Sequence, residues 1–351
     1  MVADTESGAA TRSRSGSGSR RVTIRTVAKA AGVSTATVSR VMSGSPVVAT
    51  ELADRVRQVA EELSYRPNEA ARGLVMGALR NVGVMLPDLG NSYFFDVIKQ
   101  MHHGAAADGY RMLVADHEGD GADEFATARD LLGNVDGLML LSSRIPVSGL
   151  KRLARQSTPV VLVNRVELEV DLPMVAVDGF TPMMELCSHL AGLGHRRAVY
   201  VSGSELAWQN RERLRAVEMA KLFGLESTVV TCDGTVEGGY GAVDSALVHE
   251  PTALICFNDL SAMGAVSRLR ELGLRVPEDV SVTGFDDITM ARHIAPRLTT
   301  VVSPKAQLGE QSWALMRSAL AGEPTSSPPL IPAEVVIRDS TGPAAAAVRS
   351  G

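Results

Sequence analysis

The stretch "GVSTATVSRVMSG", Gly32 to Gly44, sets Thr35, Thr37 and Ser39 beside Arg40, with Val33, Val38, Val41 and Met42 interleaved. Hydroxyls both donate and accept hydrogen bonds, a guanidinium is a rigid fork of donors, and Ala36 offers a bare methyl. This is the chemistry of recognition. Bulky side chains on the same segment would hold it away from a polar surface; these do not.

The elements that must position those residues are helices. Ile24, Val27, Ala28 and Ala31 fall at i, i+3, i+4 and i+7; Val38, Val41 and Met42 begin the same stripe again; Leu52, Val56, Val59, Ala60 and Leu63 complete a third. Three amphipathic helices can close one small core. Between the first two, Gly32 can take the left-handed conformation that ends a helix and Ser34 can cap the next, which makes a helix-turn-helix. In such a unit the second helix buries its apolar stripe and offers the other face to the DNA major groove. Thr35, Thr37 and Ser39 then meet base edges or phosphates, Ala36 a thymine methyl, and Arg40 a guanine or a phosphate.

Charge agrees with that reading. Residues 1–80 hold 12 Lys and Arg against 7 Asp and Glu, whereas the rest holds 23 against 33. An acidic body thus carries a basic head, suited to a polyanion. The 351 residues, 45% hydrophobic, support two or three compact domains. Cys187, Cys232 and Cys256 are too dispersed for a zinc site or disulfide framework, and a reducing cytoplasm is expected. No apolar run reaches the length of a membrane helix, and no signal peptide is expected. Residues 1–21 read as a disordered basic tail of Ser, Gly and Arg.

"VTIRTVAKAAGVSTATVSRVMSG" followed by "VAEELSYRPNEAARGL" resembles the headpiece and hinge of the lactose-repressor and galactose-repressor family of bacterial transcription regulators. The likeness continues, in order and spacing, through "NVGVMLPDLGNSYFF", "AGLGHRRAVYVSG", "CFNDLSAMGA", "LGLRVPEDVSVTGFDD" and "PRLTTVVSPKAQLGE". The resemblance implies DNA contacts by Thr23, Ser34, Thr35, Ala36, Thr37, Ser39 and Arg40, and by Asn68, Arg72 and Leu74 of the hinge. Leu74 stands where the family wedges a leucine into the minor groove from a helix that forms on DNA. Gly73 and Gly77 would leave that helix marginal alone. Leu52-Ala53, Ser43 and Glu69 depart from the family pattern, which throws a backbone contact in doubt and shifts weight to Arg40 and Arg72.

Beyond Asn81, short apolar runs such as "VGVML", "PVVLV", "AVYVS" and "ALICF" alternate with helical patterns, the mark of parallel sheets covered on both faces. The expected fold is therefore a small all-α helix-turn-helix headpiece, residues 22–67, a hinge, 68–80, and an α/β core of two doubly wound parallel-sheet lobes. By the resemblance this core is periplasmic-binding-protein-like, with strands crossing between lobes. The first lobe takes 81–178 with about 306–331, the second 179–305 with about 332–340, and 341–351 form a flexible tail.

Ligands of open α/β sheets sit beyond the carboxyl ends of the strands. That rule selects Asp88, Asn91, Tyr93 and Phe94 after "VGVML", Asn164 and Arg165 after "PVVLV", Trp208, Gln209 and Arg213 after "AVYVSG", and Asn258-Asp259 after "ALICF". The resemblance marks Tyr93, Phe94, Arg165, Arg213 and Asp259 as effector contacts. Forked hydrogen bonds and an aromatic face suit a sugar or polyol. Asp286-Asp287 can help shape the cleft, although a turn or interface role is favoured, and His102-His103 are expected as one core and one surface residue. Phosphate-loop, nucleophile-elbow and calcium-loop patterns are absent, so no enzyme, cofactor or metal is expected.

Two functions remain. One is a repressor that binds a pseudo-palindromic DNA operator as a homodimer, its affinity set by a small effector. The other is a solute-binding or sugar-processing α/β protein, which has no use for a helix-turn-helix and a hinge leucine. The first is expected, as a dimer because no leucine-heptad tail follows Ser340.

Overall fold

The computed structural model describes residues 22–42, 45, 47–65, 78–117 and 121–345. It divides into two compact units, Met1–Gly77 and Ala78–Gly351.

The first unit holds α1 (Ile24–Ala31), α2 (Thr35–Met42) and α3 (Thr50–Glu62). Gly32 ends α1 with φ 67° and ψ 34°, and the Val33 N–H turns back to the Ala28 carbonyl at 3.0 Å. Ser34 Oγ accepts from the Thr37 N–H at 3.1 Å, so the capping serine is in place. Valines and alanines of all three helices form the core: Val27, Ala31, Val38, Val41, Val56 and Ala60 are all buried. The expected hinge contacts Asn68, Arg72 and Leu74, and the tail 1–21, lie outside the described residues.

In the second unit β1 (Asn81–Leu86), β2 (Arg111–Asp116), β3 (Gly137–Leu141), β4 (Val160–Val163) and β5 (Met174–Val175) form a parallel sheet in the order β2-β1-β3-β4-β5. Between them run α4 (Tyr93–Ala107), α5 (Gly121–Leu132) and α6 (Val147–Leu153). The chain then crosses to a second parallel sheet of β6 (Arg197–Ser202), β7 (Glu226–Thr231), β8 (Ala253–Cys256) and β9 (Ser281–Thr283), ordered β7-β6-β8-β9. Helices α7 (Thr181–Gly192), α8 (Trp208–Met219), α9 (Val236–Leu247) and α10 (Asp259–Glu271) accompany this sheet.

Strand β10 (Thr300–Val302) leads back, and α11 (Lys305–Leu320) packs on α4 and on strands of the first sheet. Strand β11 (Glu334–Val336) then returns antiparallel to β10. The lobes are therefore discontinuous in sequence. Central strands β3, β4 and β8 are fully buried, but edge strands β2 and β7 are largely exposed, which corrects the expectation of apolar strands covered throughout. An edge strand has a neighbour on one side only, and Leu113, Val114 and Val229 face outward there.

Two smaller expectations are also corrected. His102 and His103 are both exposed, because α4 turns Val97, Met101 and Ala105, spaced by four, toward the core. The tail expected to be free from Thr341 is held over its first residues: Thr341 meets His189 at 3.1 Å, Gly342 accepts from or donates to His195 and Ser281, and the Ala344 N–H reaches the Leu193 carbonyl at 2.9 Å.

Candidate effector cleft and DNA-reading helix

In the first unit the spacing of α2 decides which residues are offered outward. Val38 and Val41 are buried, while Ser34, Thr35, Ala36, Ser39 and Arg40 are exposed and Thr37 is half-buried. Ser34 is engaged as a cap and its hydroxyl meets that of Thr37 at 2.9 Å, which fixes the first turn. Thr23 stands exposed at the start of α1, with its N–H donated to Thr26 Oγ1 at 3.3 Å.

In the second unit a cavity of about 420 Å³ opens between the carboxyl ends of the two sheets. Both sheets reverse strand order between their first and third strands in sequence, β1/β3 and β6/β8, and that is where open α/β sheets hold ligands. Of the expected residues, Asp88, Asn91, Tyr93, Phe94, Asn164, Gln209, Arg213 and Asn258 line it.

These side chains are tightly cross-bonded. Asn164 donates to the Tyr93 hydroxyl at 3.2 Å, and Tyr93 is buried edge-on against Phe94. Burial first, and the nearby Asp286 carboxylate second, push the Tyr93 phenol far above its ordinary range, so it stays protonated. Gln209 of α8 reaches across to the first lobe, donating to Ser142 Oγ at 2.9 Å and to the Asn164 carbonyl. Arg213 is 5% exposed, donates to the Phe257 carbonyl and lies against the rings of Phe257 and Phe285.

Asp286 is the partner of Arg213, 3.5 Å away, and lines the cavity from a turn, so it has both the turn placement and the cleft-shaping role that the sequence offered as alternatives. Burial raises its carboxyl to about 6, although Arg213 and Lys305 oppose the shift. Lys305 Nζ secures the loop by donating to the carbonyls of Asp286 and Asp287, at 2.6 and 3.1 Å. Ser142, Asn164 and Asp286 all line the cavity, and all three are non-glycine residues with positive φ, 53°, 56° and 111°. Such conformations are costly and cluster where a protein shapes a site.

Three expected residues do not line the cavity. Arg165 follows Asn164 and points the other way, donating to the carbonyls of Ser143 and Ile145 and pairing with Glu167 at 3.1 Å. Trp208 precedes Gln209 by one helical position and lines a separate groove beside Glu167, Leu168 and Arg211. Asp259 follows Asn258, is wholly buried, and accepts from the Ile288 N–H at 2.8 Å and from the Thr300 hydroxyl. Burial, and then repulsion from Asp286, hold its carboxyl well above the ordinary range. It shapes the turn that presents Asp286.

The sequence reading passed over Ser142, Arg144, Asp233, Thr235 and Phe257, which also line the cavity. Each follows the end of β3, β7 or β8, so the strand-end rule would have found them had it been applied to every strand. Among the described residues no cluster of His, Cys, Asp and Glu is arranged to hold a metal ion, and no helix is long and apolar enough to cross a membrane.

Comparison with known proteins places these two sites in one context. The profile of bacterial regulatory proteins of the lacI family matches residues 23–68, and that of a periplasmic binding protein-like domain matches residues 187–341. The HTH-type transcriptional repressor CytR of Escherichia coli K12 is 32% identical over 328 residues, covering 91% of this chain and 96% of that protein. Among solved structures, the transcriptional regulator CelR in complex with cellobiose shares 28% identity at a TM-score of 0.68, covering 91% of this chain and all of that one. The lac repressor dimer bound to operator and an anti-inducer has the same fold, with a TM-score of 0.79 at 24% identity over 92% of this chain and all of that one.

Proposed function

The chain belongs to the lacI family of bacterial regulatory proteins and is a DNA-binding transcriptional regulator with an effector-binding domain; from that premise we propose that it represses from a pseudo-palindromic operator as a homodimer, controlled by a sugar-like effector. The observation that carries this reading is the division of α2, with Val38 and Val41 buried and Thr35, Ala36, Ser39 and Arg40 exposed. A helix so divided can enter a major groove with short side chains against base edges. It acts by binding and not by catalysis, in the cytoplasm where the DNA lies.

The cleft supports the effector. Amides from Asn91, Asn164, Gln209 and Asn258, the Asp286 carboxylate and the ring of Phe94 suit a polyhydroxylated ring, and CelR is described in complex with cellobiose. A second copy is supported by apolar side chains left exposed on the first lobe at Leu89, Phe95, Leu113 and Val114. An effector that binds one lobe arrangement more tightly shifts the DNA-binding equilibrium by that differential affinity and no more.

The test is an anisotropy titration of the full chain on palindromic and random duplexes across a salt series. Tighter binding to a palindrome, with steep salt dependence from released counterions, is expected; equal affinity for every duplex would refute the proposal. A thermal-shift screen of sugars and nucleosides addresses the cleft, since a ligand at 100 times its Kd adds about 2.7 kcal/mol of stability.

A further inference from the structure

We propose that the effector carries an anionic group, a phosphate or a carboxylate, and that Arg144 receives it. The inference rests on the reading of the cleft as the effector site and narrows its chemistry.

The argument is an account of charge around the cavity. Arg213 is already spoken for, by Asp286 at 3.5 Å, the Phe257 carbonyl and two aromatic rings. Asp88 Oδ1 accepts from the Gly90 N–H at 2.6 Å, and Asp233 Oδ1 accepts from the Thr235 N–H and hydroxyl at 2.8 and 2.7 Å. Both carboxylates therefore serve their own loops. They keep a second oxygen each for a ligand hydroxyl.

Arg144 is different. It follows β3 and lines the cavity, yet its guanidinium has no hydrogen bond or ion pair with any described residue, and its Nε is buried without a partner. Only its backbone is tied down, by an N–H donated to Glu124 Oε2 at 2.6 Å. A guanidinium fixed at its root, turned to a cavity and lacking an acceptor is complementary to a bidentate anion. Glu124 feels the Arg144 charge but makes no ion pair with the guanidinium, and a neutral hydroxyl could accept one bond without adding a countercharge. The N-terminus of α9, whose capping Thr235 also lines the cavity, adds positive potential from the opposite lobe. The occupant this arrangement fits is a polyhydroxylated ring bearing one anionic group, with its hydroxyls on the amides and carboxylates and its anion on Arg144.

The experiment is calorimetric titration of the full chain with inorganic phosphate and with matched sets: glucose, glucose 6-phosphate and glucuronate; ribose and ribose 5-phosphate. Anionic members are expected to bind at least tenfold more tightly than their neutral parents, the phosphate and uronate arms telling which anion is meant. Arg144→Gln should remove that advantage, so that each anionic member binds no more tightly than its neutral parent. Arg144→Lys should restore part of it, and unchanged melting temperatures in both variants show that the fold is intact. Neutral sugars that bind as tightly as their anionic forms, or an advantage that survives Arg144→Gln, overturn the proposal while leaving the effector reading standing. Silence from every anionic probe also overturns it; the effector reading itself falls only if neutral sugars and nucleosides are silent too.

Discussion

The headpiece and the cleft domain treat their functional side chains in opposite ways. On α2, Thr35, Ala36, Ser39 and Arg40 are exposed on a helix whose interior is small valines and alanines. Around the cleft, Asn164, Gln209, Arg213 and Asp286 are buried and bonded to one another across two lobes. A surface that must meet many phosphates and bases keeps its groups at the water interface, where they cost little until DNA arrives. A cavity that must grip one small molecule holds its groups in place beforehand, and that preorganisation has to be supported by strained turns and by close packing behind them.

The strongest way to break the comparison is to attack that packing. Helices α9 and α10 cross through Gly239 and Gly264, and a Cβ on Gly264 would collide with the Val236 carbonyl oxygen and press on the Tyr240 N–H. Backbone cannot give way as a flexible side chain can. Gly264→Ala is expected to lower the stability of the cleft unit by about 3 kcal/mol, at the upper end of overpacking costs, as read from its urea midpoint. If the headpiece folds as its own unit, its helical signal and non-specific DNA affinity should be spared.

The converse attack is on the headpiece core. Val38 is wholly buried in a core of valines and alanines, with Ile24, Met42, Leu63 and Tyr65 packed only partly buried against it. Val38→Ala is expected to cost about 2 kcal/mol from lost transfer energy and the residual cavity. In so small a unit that is a large share of the total. Operator affinity should fall with it, while the thermal transition of the cleft unit stays where it was. Arg40→Ala sharpens the contrast, because it changes an exposed group: specific binding should weaken roughly tenfold, about 1.4 kcal/mol, with both melting transitions unmoved. Parent-like affinity would show that α2 reads the duplex without its guanidinium.

The same contrast explains what was legible in the sequence. In the headpiece one period decides everything: positions of a helix near 100° apart separate Val38 from Ser39, and the buried and exposed faces follow from spacing alone. In the cleft domain the strands were also legible, since β3, β4 and β8 are short runs of buried apolar residues. Which strand-end residue faces the cavity was not. The three residues placed there wrongly are each the immediate neighbour of one that belongs: Arg165 beside Asn164, Trp208 beside Gln209, Asp259 beside Asn258. Ser142 and Asn164 leave their strands through left-handed conformations, so the simple alternation of strand side chains ends at the residue that matters. Neither the turn nor the choice of neighbour is encoded by residue type alone.

The smallest predicted effect concerns a polar group behind the first-lobe wall of the cleft. His117 is buried with Glu124, its Nε2 3.5 Å from Glu124 Oε1, and neither ring nitrogen has a hydrogen-bond partner among the described residues. Burial, and secondarily the charge of Arg144, lower its pKa to about 4. Folded protein therefore holds His117 neutral where an unfolded histidine, near 6.5, takes up a proton. Between about pH 6.5 and 4 the unfolded state binds more protons at this residue, so stability must fall as the pH falls through that window. Asp286 and Glu124 act in the opposite sense, because burial raises both carboxyls and acidification relieves their cost. His189 and His195, lowered by burial, and Asp287, held low against burial by Arg292 and Arg338, add to the parent's slope in the same sense as His117. His117→Gln isolates the contribution of His117: its urea midpoint should decline less than the parent's between pH 6.5 and 4.5, and the two proteins should differ little in slope above pH 7. Parallel curves over the acidic range would mean that folded His117 takes up its proton as readily as an unfolded histidine, as a charged ring donating to an ionised Glu124 would.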